Sequence, residues 1–247
     1  MALNGEVVVT PDVTGAFAQQ VLEAFRSRPQ DHFALALTGS DDARDCYTRL
    51  AADAGSHIDW WKVDVYWADE RCVPHDHEHS NYRMAREALL DQVGAAHATH
   101  LMRCAEGPDP YQLRLGDLGG LDLVHLGMGA DGHTAGLFPG CDALDADPGR
   151  LVSMTEDPTG AAAYRRMTLT PGGIARSGTV VVTVQGARRP PASTPTVAVV
   201  AYPAPRILLG ASLLALGRTA DAEAELQKAV KLAPGEPLAR LQLARAH

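Results

Sequence analysis

Apolar positions change their spacing repeatedly along the first 190 residues. Glu6-Val-Val-Val-Thr10 is short and β-branched, which predicts a strand. Residues 14–28 place Phe17, Val21 and Phe25 on one face at helical spacing. His32 to Thr38 is a continuous apolar run of the buried-strand type, and Trp60 to Trp67 is a second that runs on to Asp69-Glu70-Arg71. Ser80 has the chemistry of a helix N-cap, and Tyr82, Ala85, Leu89 and Val93 keep helical spacing after it. Further strands are predicted at Leu121–Leu126, Met167–Thr170 and Thr179–Val184. Alternation of this kind implies an α/β fold, a mostly parallel sheet with helices on both faces.

The pattern breaks after Gly186. Ala187 to Pro195 is rich in Pro and Arg, a linker composition, and a short apolar stretch from Thr196 to Tyr202 follows. Helical spacing then dominates to His247. Gly210, Leu213, Gly217, Ala222, Leu226, Ala229 and Pro234 fit a single tetratricopeptide repeat, with helices expected over 206–216 and 219–232 and a partial third from 237. A plain amphipathic helical hairpin is the alternative. Three parts result: an α/β domain over 1–186, a linker over 187–205, and a helical segment over 206–247.

Composition narrows the functional classes. The 247 residues are 46% hydrophobic and 21% charged, ordinary for a globular protein. A net charge of −8 argues against a nucleic-acid partner, which calls for a cationic surface. Met1 to Glu6 lacks the basic and apolar regions of a signal peptide, and no run reaches the ~20 apolar residues that span a bilayer, so no membrane partner is expected. Cys46, Cys72, Cys104 and Cys141 form no Cys-x-x-Cys, so reduced thiols in the cytoplasm are the default expectation.

Candidate chemistry concentrates in Leu121 to Gly140. Here an apolar strand ends in Gly127-Met-Gly-Ala-Asp-Gly-His133, presenting Asp131 and His133 where α/β folds bind ligands. A histidine there suits general-base work near neutral pH. The glycines also satisfy G-x-G-x-x-G. However, Phe138-Pro139-Gly140 breaks the chain before a long helix can follow, which disfavours the dinucleotide reading. His75-Asp-His-Glu-His79 invites a metal reading, but alternate spacing on a loop fixes no geometry, so a solvated loop and no metal are expected.

Taken together, three segments resemble the 6-phosphogluconolactonase family over residues 5–186: Asp69-Glu70-Arg71, the Ser80-Asn81-Tyr82 helix start, and the Gly127 to Gly140 run with His133-Thr134 and Leu137-Phe138-Pro139. The related glucosamine-6-phosphate deaminases share the fold and an Asp-Gly-His, but are similar to a different continuation after the histidine. The resemblance implies a Rossmann-like sugar-phosphate isomerase/lactonase fold and a hydrolase of a sugar-phosphate lactone, with no cofactor. It makes His133 the general base, with Asp131, Asp69 and Arg71 as its catalytic companions. Gly39, Ser40, Asn81, Gly129, Arg166 and Arg189 are implied to bind substrate or phosphate. Backbone N–H groups in the 129–134 turn are expected to add anion donors.

The departures from the family concern phosphate. Asp41 and Asp42 stand where the family is similar to Ser-Thr, and two carboxylates repel a phosphate. Gly160 to Thr168 keeps Arg166 and Thr168 but lacks the family's lysine and prolines, and Arg189 stands in for a lysine. Weakened phosphate recognition is therefore expected. A protein partner, or self-association, is expected through the C-terminal helices.

Overall fold

A computed structural model describes residues 7–28, 31–129, 131–184 and 197–200, together with Ala220, Glu223 and Gln227. The main sheet has seven strands in the order β1-β10-β9-β6-β2-β3-β5. These are β1 (Val7–Val9), β2 (Phe33–Leu37), β3 (Val63–Trp67), β5 (Ala98–Thr99), β6 (Leu123–Leu126), β9 (Thr179–Val182) and β10 (Val197–Val200). The run from β9 to β5 is parallel, while β10 pairs antiparallel with both β9 and β1. The mostly parallel α/β sheet expected from the sequence is therefore present. The apolar stretch inside the 187–205 linker supplies β10 and so is part of this sheet.

Helices α1 (Val13–Ser27) and α2 (Asp41–Ala54) pack against each other. Phe17, Val21 and Phe25 are all buried, as their spacing predicts. Asp12 caps α1 by accepting from the Gly15 N–H at 2.9 Å. Every residue of β2 is buried, which explains its unbroken apolar run in the middle of a parallel sheet. A 3₁₀ turn over Trp60–Lys62 delays β3 to Val63, with buried Trp60 donating its Nε1–H to the Gly55 carbonyl at 2.9 Å. Helix α4 (Asp109–Leu118) precedes β6.

Asp69-Glu70-Arg71 is a separate strand, β4, and not the end of β3. It joins β7 (Val152–Thr155) and β8 (Arg166–Leu169) in a small antiparallel sheet. Ala68 is the pivot: its N–H donates to Leu37 in the main sheet, and its carbonyl accepts from Leu169 N–H in the small one, each at 2.7 Å. This hand-over fixes β4 just beyond the carboxyl ends of β2 and β3.

Helix α3 (Asn81–Ala85) starts where Ser80 was expected to cap it, with Ser80 Oγ accepting from Arg83 N–H at 3.2 Å. It continues as one π-helical turn over Arg86–Leu90 and ends there, short of Val93. Helix α5 (Pro171–Ala175) follows β8 and is capped by Thr170.

The expectation of uniformly reduced thiols fails at one pair. Cys72 and Cys104 form a disulfide, while Cys46 and Cys141 are free and buried. Spacing gave no hint of the bond, because 32 residues separate partners that the fold brings together. Among the described residues, no helix is long and apolar enough to cross a membrane. The expected helices at 206–216 and 219–232 lie outside the described residues, apart from Ala220, Glu223 and Gln227, which are helical.

Candidate active site

The loop after β6 presents Asp131 and His133. Asp131 Oδ1 lies 2.6 Å from His133 Nδ1 and also accepts the His133 backbone N–H at 3.2 Å. With the carboxylate on Nδ1, the proton sits there and Nε2 is left with its lone pair. Burial acts to raise the Asp131 carboxyl, but the hydrogen bonds and charge of His133 outweigh it and hold the carboxyl below its usual value. Phe138 packs beside the imidazole, with ring centroids 4.9 Å apart.

Gly129 leaves the room that the His133–Asp131 pair occupies. A β-carbon there would lie 2.3 Å from His133 Nδ1 and 2.4 Å from Asp131 Oδ1. Gly132 has φ of +88°, the left-handed region that glycine tolerates.

Four of the turn's amides are already engaged within it. Gly129 N–H donates to His133 O, Gly132 N–H to Gly129 O, His133 N–H to Asp131, and Thr134 N–H to Leu137 O. No helix follows either, because residues 134–137 close a tight bridge instead. The glycine pattern is therefore not a dinucleotide fingerprint.

Positive charge comes from the small sheet. Arg71 and Arg166 are paired across β4 and β8, so two guanidinium groups share one face of a protein whose net charge is −8. Arg71 donates Nη1–H to the His79 carbonyl at 2.9 Å and to Asn81 Oδ1 at 2.6 Å. Burial, and then the nearby Arg166 charge, lower its pKa. Buried Arg166 donates Nη1–H to Asp69 Oδ2 at 2.9 Å and to the Ala135 carbonyl at 3.1 Å. Its Nε–H is buried without a partner among the described residues.

Asp69 does not pair with Arg71. It is fully buried, with Thr38 Oγ1 donating to Oδ1 at 3.0 Å and Arg166 holding Oδ2. Asn81 is buried too and donates Nδ2–H to the Asp69 carbonyl at 2.8 Å. A continuous chain of contacts thus runs from Arg71 through Asn81, Asp69 and Arg166 to Ala135, two residues beyond His133. Gly39 packs tightly on Asn81, where a β-carbon would come within 1.8 Å of Oδ1.

Ser40, Asp41 and Asp42 form a helix start. Ser40 Oγ is the N-cap of α2, accepting from Ala43 N–H at 3.0 Å, and both aspartates occupy the first helical turn. Anionic side chains are favourable at that end of a helix dipole. The N-terminus of α2 therefore carries two carboxylates in its own first turn. Arg189 lies outside the described residues.

Glu70 went unread in the sequence. It is buried, and its carboxyl accepts from the N–H groups of Arg71, Asn81 and Tyr82 and from Ser80 Oγ, at 2.7–3.1 Å. It therefore anchors the start of α3 to β4 and fixes Asn81. The available signal was a carboxylate between Asp69 and Arg71, ten residues before a serine N-cap. Burial pushes this carboxyl up to about 7.

His125 is a second group the sequence left unread. It is fully buried, sharing hydrogen bonds of 2.9 Å with Tyr47 Oη and Thr183 Oγ1, and burial lowers it to about 3. Tyr47 also accepts the Thr38 N–H at 2.7 Å, so this network props the end of β2 from beneath.

The histidine-rich loop has no common focus. His75 lies near the Met102 carbonyl and Tyr82, whereas His77 and His79 pack near Tyr164.

An open, mostly parallel sheet that presents a histidine–carboxylate pair and two arginines beyond its strand ends is an arrangement suited to a small anionic ligand. The chain belongs to the family described as glucosamine-6-phosphate isomerases/6-phosphogluconolactonase, whose model matches residues 8–214. A 6-phosphogluconolactonase of Synechocystis is 36% identical over 170 residues, spanning 63% of this chain and 67% of the relative. One of Nostoc is 33% identical over 205 residues, 75% of this chain and 82% of the relative. Among solved structures, a putative 6-phosphogluconolactonase of Neisseria gonorrhoeae superposes with a TM-score of 0.60 at 29% identity, covering 71% of this chain and 79% of that one. The enzyme of Trypanosoma brucei gives 0.62 at 27% identity, with 73% and 81% coverage. A tetratricopeptide-repeat model matches residues 203–246, as the C-terminal spacing implied.

Proposed function

We propose that the chain hydrolyses 6-phospho-D-glucono-1,5-lactone to 6-phosphogluconate, a step of the pentose phosphate pathway. The His133–Asp131 contact at 2.6 Å carries this reading, because it leaves Nε2 free to act as a base. His133 Nε2 takes a proton from water, and the water oxygen adds to the lactone carbonyl. The negative charge that develops on the carbonyl oxygen is met by the arginine pair, since four amides of the histidine turn are already engaged. Arg71 retains its Nε and Nη2 hydrogens without a partner among the described residues. The tetrahedral intermediate then collapses. The ring C–O bond breaks, and the leaving oxygen takes the proton from His133 Nε2. No cofactor enters these steps.

Asp69 acts by holding Arg166, and Asn81 by holding Arg71; both are positioning residues. Gly39 and Gly129 leave room for Asn81 and the His133 ring. Phosphate recognition is weak, because Asp41 and Asp42 fill the α2 N-terminus and Ser40 is committed to its cap. We place the enzyme in the cytoplasm, where the Cys72–Cys104 bond faces a reducing thiol pool. The repeat-like segment over 203–246 is proposed as a surface for a protein partner or a second copy. The deciding experiment measures lactone hydrolysis by the purified chain against the spontaneous rate. A rate no faster than the spontaneous one removes the proposal.

A further inference from the structure

A second cluster lies at the opposite end of the main sheet. His32 immediately precedes β2, Asp64 is the second residue of β3, and His97 immediately precedes β5. Register pairs Asp64 with Ala34 on one side and Ala98 on the other, so neighbouring strand starts bring the three side chains together. The sites are well separated, because β2 and β3 each run five residues from this cluster toward the Gly39 and Asp69 end. At ~3.3 Å per residue that is roughly 16 Å.

His97 Nδ1 lies 2.9 Å from Asp64 Oδ1, and His32 Nδ1 lies 3.5 Å from Oδ2. The three ligand atoms are all within 4.8 Å of one another. The His32 and His97 rings sit edge to face with centroids 4.2 Å apart. His100 brings Nε2 to 3.7 Å from Asp64 Oδ1. Hydrogen bonding accounts for His97 alone, since the other two distances are long for a hydrogen bond. Three imidazoles nevertheless crowd one carboxylate.

The backbone around the cluster is fixed, and two of the rings are about half exposed. His97 N–H donates to the Trp60 and Val63 carbonyls and His100 N–H to the Val65 carbonyl, at 2.8–3.1 Å. Bonds of ~2.0–2.2 Å give a tetrahedral site edges of roughly 3.3–3.6 Å. The His32–Asp64 distance of 3.5 Å already matches such an edge, and the His32 and His97 side chains, 45% and 51% exposed, have room to adjust the others.

We propose that His32, Asp64 and His97 bind one divalent transition-metal ion of the zinc class, with water completing the coordination. Two imidazoles and a carboxylate favour such an ion over magnesium or calcium, which prefer all-oxygen sites. The net charge of −8 favours a cation at an open site. The ion clamps the starts of β2, β3 and the two-residue β5 together. It stands apart from the hydrolytic chemistry, which is still expected to need no metal.

The test titrates chelator-stripped full-length chain with Zn²⁺ by calorimetry near neutral pH. One site should appear for Zn²⁺ and none for Mg²⁺ at equal concentration. His97→Gln should weaken Zn²⁺ binding by ~10-fold or more, Asp64→Asn similarly, and His32→Ala/His97→Ala should abolish it. The thermal midpoint should rise with Zn²⁺ in the parent and not in that double variant. His77→Ala/His79→Ala should leave binding within about twofold. Should Asp64→Asn fail to fold, the variants of the exposed histidines carry the test. Unchanged binding in His32→Ala/His97→Ala, its loss in His77→Ala/His79→Ala, or no site in the parent overturns the proposal. Because the readout is binding, the outcome is independent of lactone hydrolysis.

Discussion

A base held by a carboxylate two residues away makes a narrow demand on its own turn. His133→Ala should lower kcat by ~10²–10⁴-fold with little change in unfolding free energy, the usual contribution of a positioned general base. Steady-state lactone kinetics alongside urea melts test both halves; near-parental kcat removes His133 from the mechanism. Gly129→Ala should resemble it kinetically, since its β-carbon would meet the His133 ring at 2.3 Å. His133 and Asp131 were singled out because they sit in one specific run, and Arg71 because it closes another, Asp69-Glu70-Arg71. The true partners of Asp69 were not, since Arg166 is 97 residues away and only the β4–β8 register brings them together. Glu70 was overlooked for a related reason. Its four donors are backbone amides and one hydroxyl, and backbone donors leave no mark on a sequence.

At the scale of elements, α2 poses a conflict between stability and binding. Asp41 and Asp42 favour the helix N-terminus by about 0.3–1 kcal/mol each, yet the same dipole is what an incoming phosphate would use. Asp41→Ser/Asp42→Thr should therefore lower KM for the phosphorylated lactone while costing some stability. An unchanged KM would mean that phosphate does not reach this helix end. The strands in the middle of the main sheet, β2, β3, β6 and β9, were read because burial on both faces writes itself as an apolar run, whereas the two-residue β5 left no pattern and β10 was read only as an apolar stretch in a linker. The Asp-Glu-Arg strand was read only as a continuation of β3, since Ala68 turns the chain between sheets without any glycine or proline to signal it. The disulfide ties the segment just after β4 to the Cys104–Glu106 turn. In the chain-entropy picture, closing its 32-residue separation contributes about 3–4 kcal/mol, so Cys104→Ser should lose roughly that much under oxidising conditions and nothing under reducing ones. Equal loss in both would point to packing at Cys104 and not to the bond.

For the whole molecule, two buried groups pull stability in opposite directions as pH changes. His125 is lowered from 6.5 to about 3, so between those values the unfolded chain binds the extra proton and stability rises with pH. Glu70 is raised from 4.5 to about 7, so across that window the folded chain binds the extra proton and stability falls with pH. Each contributes a slope of about 1.4 kcal/mol per pH unit within its window. Between pH 4.5 and 6.5 the two cancel, and the protein should show a nearly flat profile. Below 4.5 the Glu70 contribution no longer changes while that of His125 still does, and stability should drop steeply toward pH 3. The lowered Asp131 carboxyl adds to that drop below its usual value of 3.8, because its folded form binds fewer protons. Glu70→Gln removes one side of the balance. Whatever that variant costs in absolute stability, its unfolding free energy should climb with pH from 4.5 to 6.5, where the parent's does not. Urea unfolding at a series of pH values reads both slopes directly. A parent profile that already climbs through this window would mean that Glu70 titrates near its ordinary value, because its three N–H donors and the Ser80 hydroxyl offset the cost of burial.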